Sequence, residues 1–158
     1  MIALLSSNVI NIVQSIDLST VQEIKNKKVH LFCINKAVYS KDLQSQNQLL
    51  MDQLCVVTTD KTLMFYEMKT TTGLFKFEED RNYGQDKNQT IGKELPSQVY
   101  WDNELIYMAL KKSYLIVRKD CTPVQSINIV NQPNPQICLS KGRALVLNHG
   151  CHGYFVDT

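Results

Sequence analysis

No run of this 158-residue chain approaches the eighteen or so consecutive apolar residues that a membrane-spanning helix needs, so no helical span is expected. The opening MIALLSSNVINIV has no basic leading segment and carries Ser6, Ser7 and Asn8, which argues against a secretory signal peptide. An excess of one charge is also missing. Lys and Arg total 17 against 15 Asp and Glu, a net charge of +2, too small for a sequence-independent grip on nucleic acid. The cysteines number five, an odd set, and without a secretory signal they are expected as reduced thiols in a cytosolic setting. Cys33, Cys55 and Cys138 sit in apolar runs, where a free thiol packs as a small hydrophobe. The sequon Asn88-Gln89-Thr90 is accordingly expected to carry no glycan. Catalytic signatures are lacking too: there is no G-x-S-x-G, no P-loop, no G-x-G-x-x-G and no H-E-x-x-H. No enzymatic activity and no cofactor are expected. Almost no segment sustains a period of 3.6, which leaves an all-β chain.

What the chain has is one pattern repeated four times. IALLSSNVINIV (2–13), QLCVVTTDKTLMFY (53–66), LIYMALKKSYLIV (105–117) and ALVLNHGCHGYFV (144–156) each run apolar strand, polar turn, apolar strand. Their closing residues Val13, Tyr66, Val117 and Val156 are spaced by 53, 51 and 39 residues. A hairpin cannot bury its apolar face alone, so such units must pack on one another. Periods of about 40–50 residues are those of β-propeller blades. Propellers close with about four to eight blades of four strands, so three to four blades over residues 1–158 predict a partial propeller, completed by more chain or by another chain.

Between the repeats, further strands are expected around 20–24, 29–35, 74–77 and 124–130, with another opening the last blade at 137–139. A strand is also expected to begin within ELPSQVYW (94–101), where Pro96 is tolerated near a strand start. KDLQSQNQLLM (41–51) lacks strand rhythm and reads as a surface connection, and NQPNP (131–135) as a loop. The charged stretch over 78–93 has no apolar periodicity and is expected to be a mobile insertion.

Four groups of residues could carry chemistry. Asn148 to Gly153 place His149, Cys151 and His152 within four residues, a set that could be drawn as zinc ligands. In an extended strand, however, His149 and Cys151 share one face and His152 the other, and no familiar spacing supplies a fourth ligand, so a Gly-rich hairpin turn is expected and no metal. Asp60, Glu67, Glu78, Glu79 and Asp80 fall in turns or in the charged stretch, where carboxylates are solvated. Lys61 and Lys112 stand five residues before their closing residues, level with Asn8 and Cys151, so Lys61, Lys111 and Lys112 are expected to make one end of the blades mildly basic. They are the candidate partner-binding residues, for a partner with an acidic surface. Trp101 is expected in the core, and Tyr66, Tyr107, Tyr114 and Tyr154 between blades.

These residues resemble the citron-homology (CNH) domain. The likeness runs through QLCVVTTDKTLMFYEM and, after an insertion, ELPSQVYWDNELIYMALKKSYLIV, with Pro96, Trp101, Lys111 and Tyr114 at the corresponding places. The opening strands and the ending Gly153 to Asp157 also fit, while Ala109 stands where the family commonly has Gly. Within that family the chain most resembles the N-terminal domains of vacuolar-sorting tether subunits of the TGF-β-receptor-associated type. The resemblance implies about half of a seven-bladed propeller, serving in endosomal or vacuolar membrane tethering and vesicle-mediated transport. It implies a Rab-type small GTPase or sister tether subunits as partners, and a cytoplasmic protein peripheral on endosome or vacuole/lysosome membranes, touching the bilayer only indirectly. The same domain also occurs as a regulatory propeller of kinases and Rho-type exchange factors, the alternative reading.

Overall fold

Apolar residues at every second position make strands buried on one face, and continuous apolar runs make strands buried on both. The computed structural model describes residues 2–14, 17, 19–25, 28–35, 52–71, 74–80, 90–102, 104–128, 136–140, 143–149 and 152–156, the stretches from 138 onward through their backbone. These residues form an all-β structure of fourteen strands, with no helix among them. β1 (Ile2–Ser6), β2 (Val9–Val13) and β3 (Thr20–Lys25) make the first sheet; β4 (Val29–Asn35), β5 (Gln53–Thr58), β6 (Leu63–Thr71) and β7 (Leu74–Glu79) make the second. β8 (Gln98–Asp102), β9 (Leu105–Ala109), β10 (Ser113–Arg118) and β11 (Pro123–Asn128) make the third, and β12 (Gln136–Ser140), β13 (Arg143–His149) and β14 (His152–Val156) the fourth. All four are antiparallel and pair their strands in chain order, and no sheet among the described residues closes on itself.

The four repeats share one register. Ile2 lies opposite Val13, Leu54 opposite Tyr66, Ile106 opposite Val117 and Leu145 opposite Val156. By that register β1 corresponds to β5, β9 and β13, so the first sheet holds no described strand in the position of β4, β8 and β12. The fourth holds none in the position of β7 and β11.

The hairpins turn where short polar residues tolerate a left-handed backbone. Ser7 (φ 48°) and Asn8 (φ 66°) reverse the chain between Ser6 and its partner Val9. Between β5 and β6 the Thr58 N–H donates to the Thr62 carbonyl (2.9 Å), the Lys61 N–H donates to the Thr58 carbonyl (2.9 Å), and Lys61 takes φ 64°. The β10–β11 turn repeats that geometry: Arg118 N–H to Thr122 carbonyl (3.0 Å), Cys121 N–H to Arg118 carbonyl (2.9 Å), Cys121 at φ 62°. Lysine and cysteine thus occupy a position that favours glycine, at a cost of about 1–2 kcal/mol each.

The core lies between the sheets, and alternate residues of one strand serve two layers. Leu54 and Val56 of β5 face the first sheet with Ile10, Ile12, Ile24, Tyr66, Met68 and Phe77. Cys55 and Val57 face the third sheet with Leu63, Phe65, Trp101, Ile106 and Met108. On β9, Ile106 and Met108 point back to the second sheet, while Tyr107 and Ala109 point on toward the fourth with Tyr114, Ile116 and Ile137. The sheets therefore stack face to face in chain order. Their first strands converge, β4 lying against β8, and β12 against β8 and β9. Side chains also link neighbouring sheets: the Gln22 amide donates to the Phe77 carbonyl (2.7 Å) and accepts from the Phe77 N–H (2.8 Å), and the Tyr114 hydroxyl bonds both the N–H and the carbonyl of Gln136 (3.1 Å each).

Trp101, Tyr66, Tyr107 and Tyr114 are buried where the sequence pattern puts them. The charged stretch over 78–93 is partly built into the fold: Glu78 and Glu79 end β7, Thr90 bridges to Thr62, and Ile91, its lone apolar residue apart from Tyr83, is buried against the third layer's neighbour Leu63 in the Trp101 cluster. The expected connection over 41–51, residues 81–89 and the loop over 131–135 lie outside the described residues, as do the side chains of Cys138, His149, His152 and Tyr154 and all of Cys151.

Candidate functional site

The hairpin turns of the first three sheets, at 7–8, 59–61 and 111–112, occupy equivalent ends of equivalent strands. This end collects lysines because a solvent-facing turn solvates an ammonium without loss. Lys111 and Lys112 are exposed and Lys61 is half-buried, its carbonyl accepting from the Ile91 N–H (2.8 Å). Lys28 arrives beside them: its carbonyl accepts from the Thr59 N–H (2.6 Å) and its ammonium pairs with Asp60. The segment after Thr90 runs from the Thr62 bridge to Ser97, whose N–H donates to the Ala109 carbonyl (2.8 Å), and so carries exposed Lys93 and Glu94 along the same end. The three lysines chosen from sequence are thus joined by Lys28 and Lys93. Asp60 and Glu94 are the carboxylates among them, and no ion pair among the described residues engages Lys61, Lys111 or Lys112.

Lys93 escaped the sequence reading because it stands in the charged stretch. The signal that could have found it is Ile91-Gly92: a single apolar residue followed by a glycine, here at φ 111°, marks a point where the chain docks and turns.

Inward from this end, β4, β8 and β12 border a groove of about 260 Å³ lined by Leu31, Phe32, Ser97, Gln98, Tyr100 and Ile137. The His30 ring nitrogen meets the Pro96 carbonyl at 2.9 Å and Gln98 accepts from the Ile137 N–H at 2.8 Å, so these two polar groups already tie sheet to sheet. Burial, and then the negative charge of Asp102, raises the Tyr100 phenol.

At the opposite end of the third sheet a second charged cluster has a structural role. Lys119 reaches Asp80 at 2.8 Å and Glu67 at 3.6 Å, and its ammonium lies 5.5 Å and 5.8 Å from the ring centroids of Phe65 and Trp101. Those rings meet edge to face at 5.3 Å. The Asp80 side chain is 6% exposed, which corrects the expectation that this carboxylate is solvated. The strand rhythm ends at Glu79, but the Asp80 N–H donates to the Phe65 carbonyl (2.8 Å) and folds the carboxylate inward to a lysine 39 residues away.

No family model, curated protein or solved structure matches this chain. The CNH resemblance therefore rests on the residues that carry it, Pro96, Trp101, Lys111 and Tyr114 with their strands. Of these, Trp101, Tyr114 and Pro96 are buried and Lys111 is on the basic end; Ala109, at the family's glycine position, is fully buried against Tyr114. The side chains of the candidate zinc set, His149, Cys151 and His152, lie outside the described residues, and the backbone sets His149 opposite His152. Among the described residues no three His, Cys, Asp or Glu side chains are grouped to hold a metal.

Proposed function

We propose that this chain is a run of CNH-type β-propeller blades, two of four strands and two of three, acting as a non-enzymatic protein-interaction platform in endosomal or vacuolar membrane tethering. The observation that carries the reading is the stack itself: four meanders in one register, packed face to face, with β4, β8 and β12 brought together as the first strands of blades converge on a propeller axis. A scaffold of this kind holds its turns rigidly, and the basic end built by Lys61, Lys93, Lys111 and Lys112 suits an acidic protein surface. Charge of one sign at an interface raises the association rate and depends on salt. The CNH resemblance supplies the class of partner, a Rab-type small GTPase or a sister tether subunit, with membrane contact made through that partner.

The test is binding of the purified chain to a panel of Rab-type and Rho-type GTPases, each loaded with a GTP analogue or GDP. The tethering reading expects nucleotide-dependent capture of a Rab-type member, weakened about tenfold or more by Lys61→Glu with Lys111→Glu and Lys112→Glu, and weakened by salt. Capture of Rho-type members alone would instead favour a regulatory propeller of a signalling protein. Binding unaffected by the charge reversal would remove the basic end as the site.

A further inference from the structure

Cys33 of β4 and Cys55 of β5 are direct partners across their antiparallel ladder. The main chain of β5 fixes the kind of pair they make. Asp52 accepts from the Met68 N–H and Thr58 exchanges bonds with the β5–β6 turn, so residues 52, 54, 56 and 58 direct their peptide groups to β6 and Cys55 directs its own to β4. Cys33 and Cys55 are therefore a hydrogen-bonded pair, with Cα atoms about 5.5 Å apart. That separation lies inside the roughly 4.4–6.8 Å span of disulfides. The Cβ separation of such a pair, about 5–5.5 Å, exceeds the roughly 3.5–4.5 Å of a relaxed bridge. Directly opposite one another, the two side chains project from the same face of the ladder. Both pack into the layer that holds Phe65 and Trp101; Cys55 is wholly buried, while Cys33 is partly exposed at the edge.

We propose that Cys33 and Cys55 form a reversible, oxidation-dependent cross-strand disulfide that fastens β4, an edge strand at the converging side of the stack, to β5. With a low-molecular-weight disulfide such as glutathione disulfide as oxidant, the accessible Cys33 thiolate attacks one of its sulfurs. One S–S bond forms as another breaks, and a glutathione thiolate leaves. Cys55, having given its proton to solvent, then attacks the Cys33 sulfur and expels the second glutathione thiolate. Two protein thiols are oxidised, one glutathione disulfide is reduced to two glutathiones, and the two released protons are balanced on the leaving thiolates. Closing the bridge draws the two strands together locally, and a strained bridge is more readily reduced. The pair is thus a switch and not a permanent staple. Burial, first among its causes, pushes the Cys55 thiol well up, so the second step quickens about tenfold per pH unit through neutrality, in step with the thiolate fraction.

The test treats the folded full chain with glutathione disulfide, maps the alkylated peptides, and follows the fluorescence of Trp101, the single tryptophan, which shares a packing cluster with Cys55. The expected result is a dominant peptide joining Cys33 to Cys55, with fluorescence quenched on oxidation and restored by reduced glutathione. Cys33→Ser, altering the partly exposed member, keeps the fold and loses both the cross-link and the quench. Cys33 left as a mixed disulfide with glutathione, a bridge made instead to Cys121, Cys138 or Cys151, or a bridge that reduced glutathione does not reverse would each overturn the proposal.

Discussion

Single residues decide how the turns and the buried charges behave. Cys121 shows both effects, since its left-handed backbone completes the β10–β11 turn while its thiol packs toward Cys55 and Trp101. Burial, followed by the carboxylate of Asp120, pushes that thiol from an ordinary 9.0 up to about 11. Cys55 and Tyr100 are raised as well, each chiefly by burial. All three groups are neutral when protonated, and the folded state holds the proton more tightly than the unfolded chain. The contribution of Cys121 to stability is therefore complete below about pH 9 and is lost as pH climbs to about 11, and Cys55 and Tyr100 add losses of the same sign on the alkaline side. Thermal melts should be nearly level between pH 7 and 8.5 and fall steeply by pH 10.5, and Cys121→Ala should flatten part of that fall. An unchanged alkaline slope in the variant would assign the loss to other groups. The Lys119–Asp80 pair shows why residue-scale detail resists reading from sequence: neither residue breaks a pattern, and only the bend after β7 brings them together.

At the scale of strands, alternation in the sequence was enough to locate the hairpins, because buried positions in β5, β6, β9 and β10 recur every second residue on each of two faces. Cross-strand pairing was less legible. The meeting of Cys33 with Cys55 depends on the irregularity between Val29 and Leu31 and on a long connection between β4 and β5, neither of which apolar periodicity encodes. Strand chemistry also distinguishes the edges. β3 carries Glu23 and Lys25, β7 carries Lys76, Glu78 and Glu79, and β11 opens with Pro123, all features that discourage pairing with another chain. β1 reads IALLS, with neither charge nor proline, and leaves Leu4 49% and Leu5 39% exposed. The protein is expected to self-associate through this edge as its concentration rises, and Leu4→Lys should shift sedimentation toward the monomer. Equal behaviour of the two proteins would acquit β1.

Across the whole molecule, stability is distributed as in a stack, where each sheet leans on its neighbours. The second and third sheets are covered on both faces, and the first has a described partner on one face alone. Hydrogen exchange should therefore be slowest in β5, β6, β9 and β10 and faster in β1, β3 and β11. Uniform protection across all the sheets would contradict a stack with weaker flanks. The all-β character and the fourfold repeat were legible because each repeat states its own hairpin; the order of packing was not, since nothing in Leu54, Cys55, Val56 and Val57 says which neighbour each will meet.

Every strand in these sheets pairs with its neighbour in sequence, and this bears on how the chain is made. The layer formed by Ile10, Ile12, Ile24, Leu54, Val56, Tyr66, Met68 and Phe77 needs nothing beyond Phe77. As synthesis proceeds from the N-terminus, that layer can close once β7 has left the ribosome, giving β8 to β11 a finished surface on which to assemble. Among the described strands, birth order and spatial order are then the same.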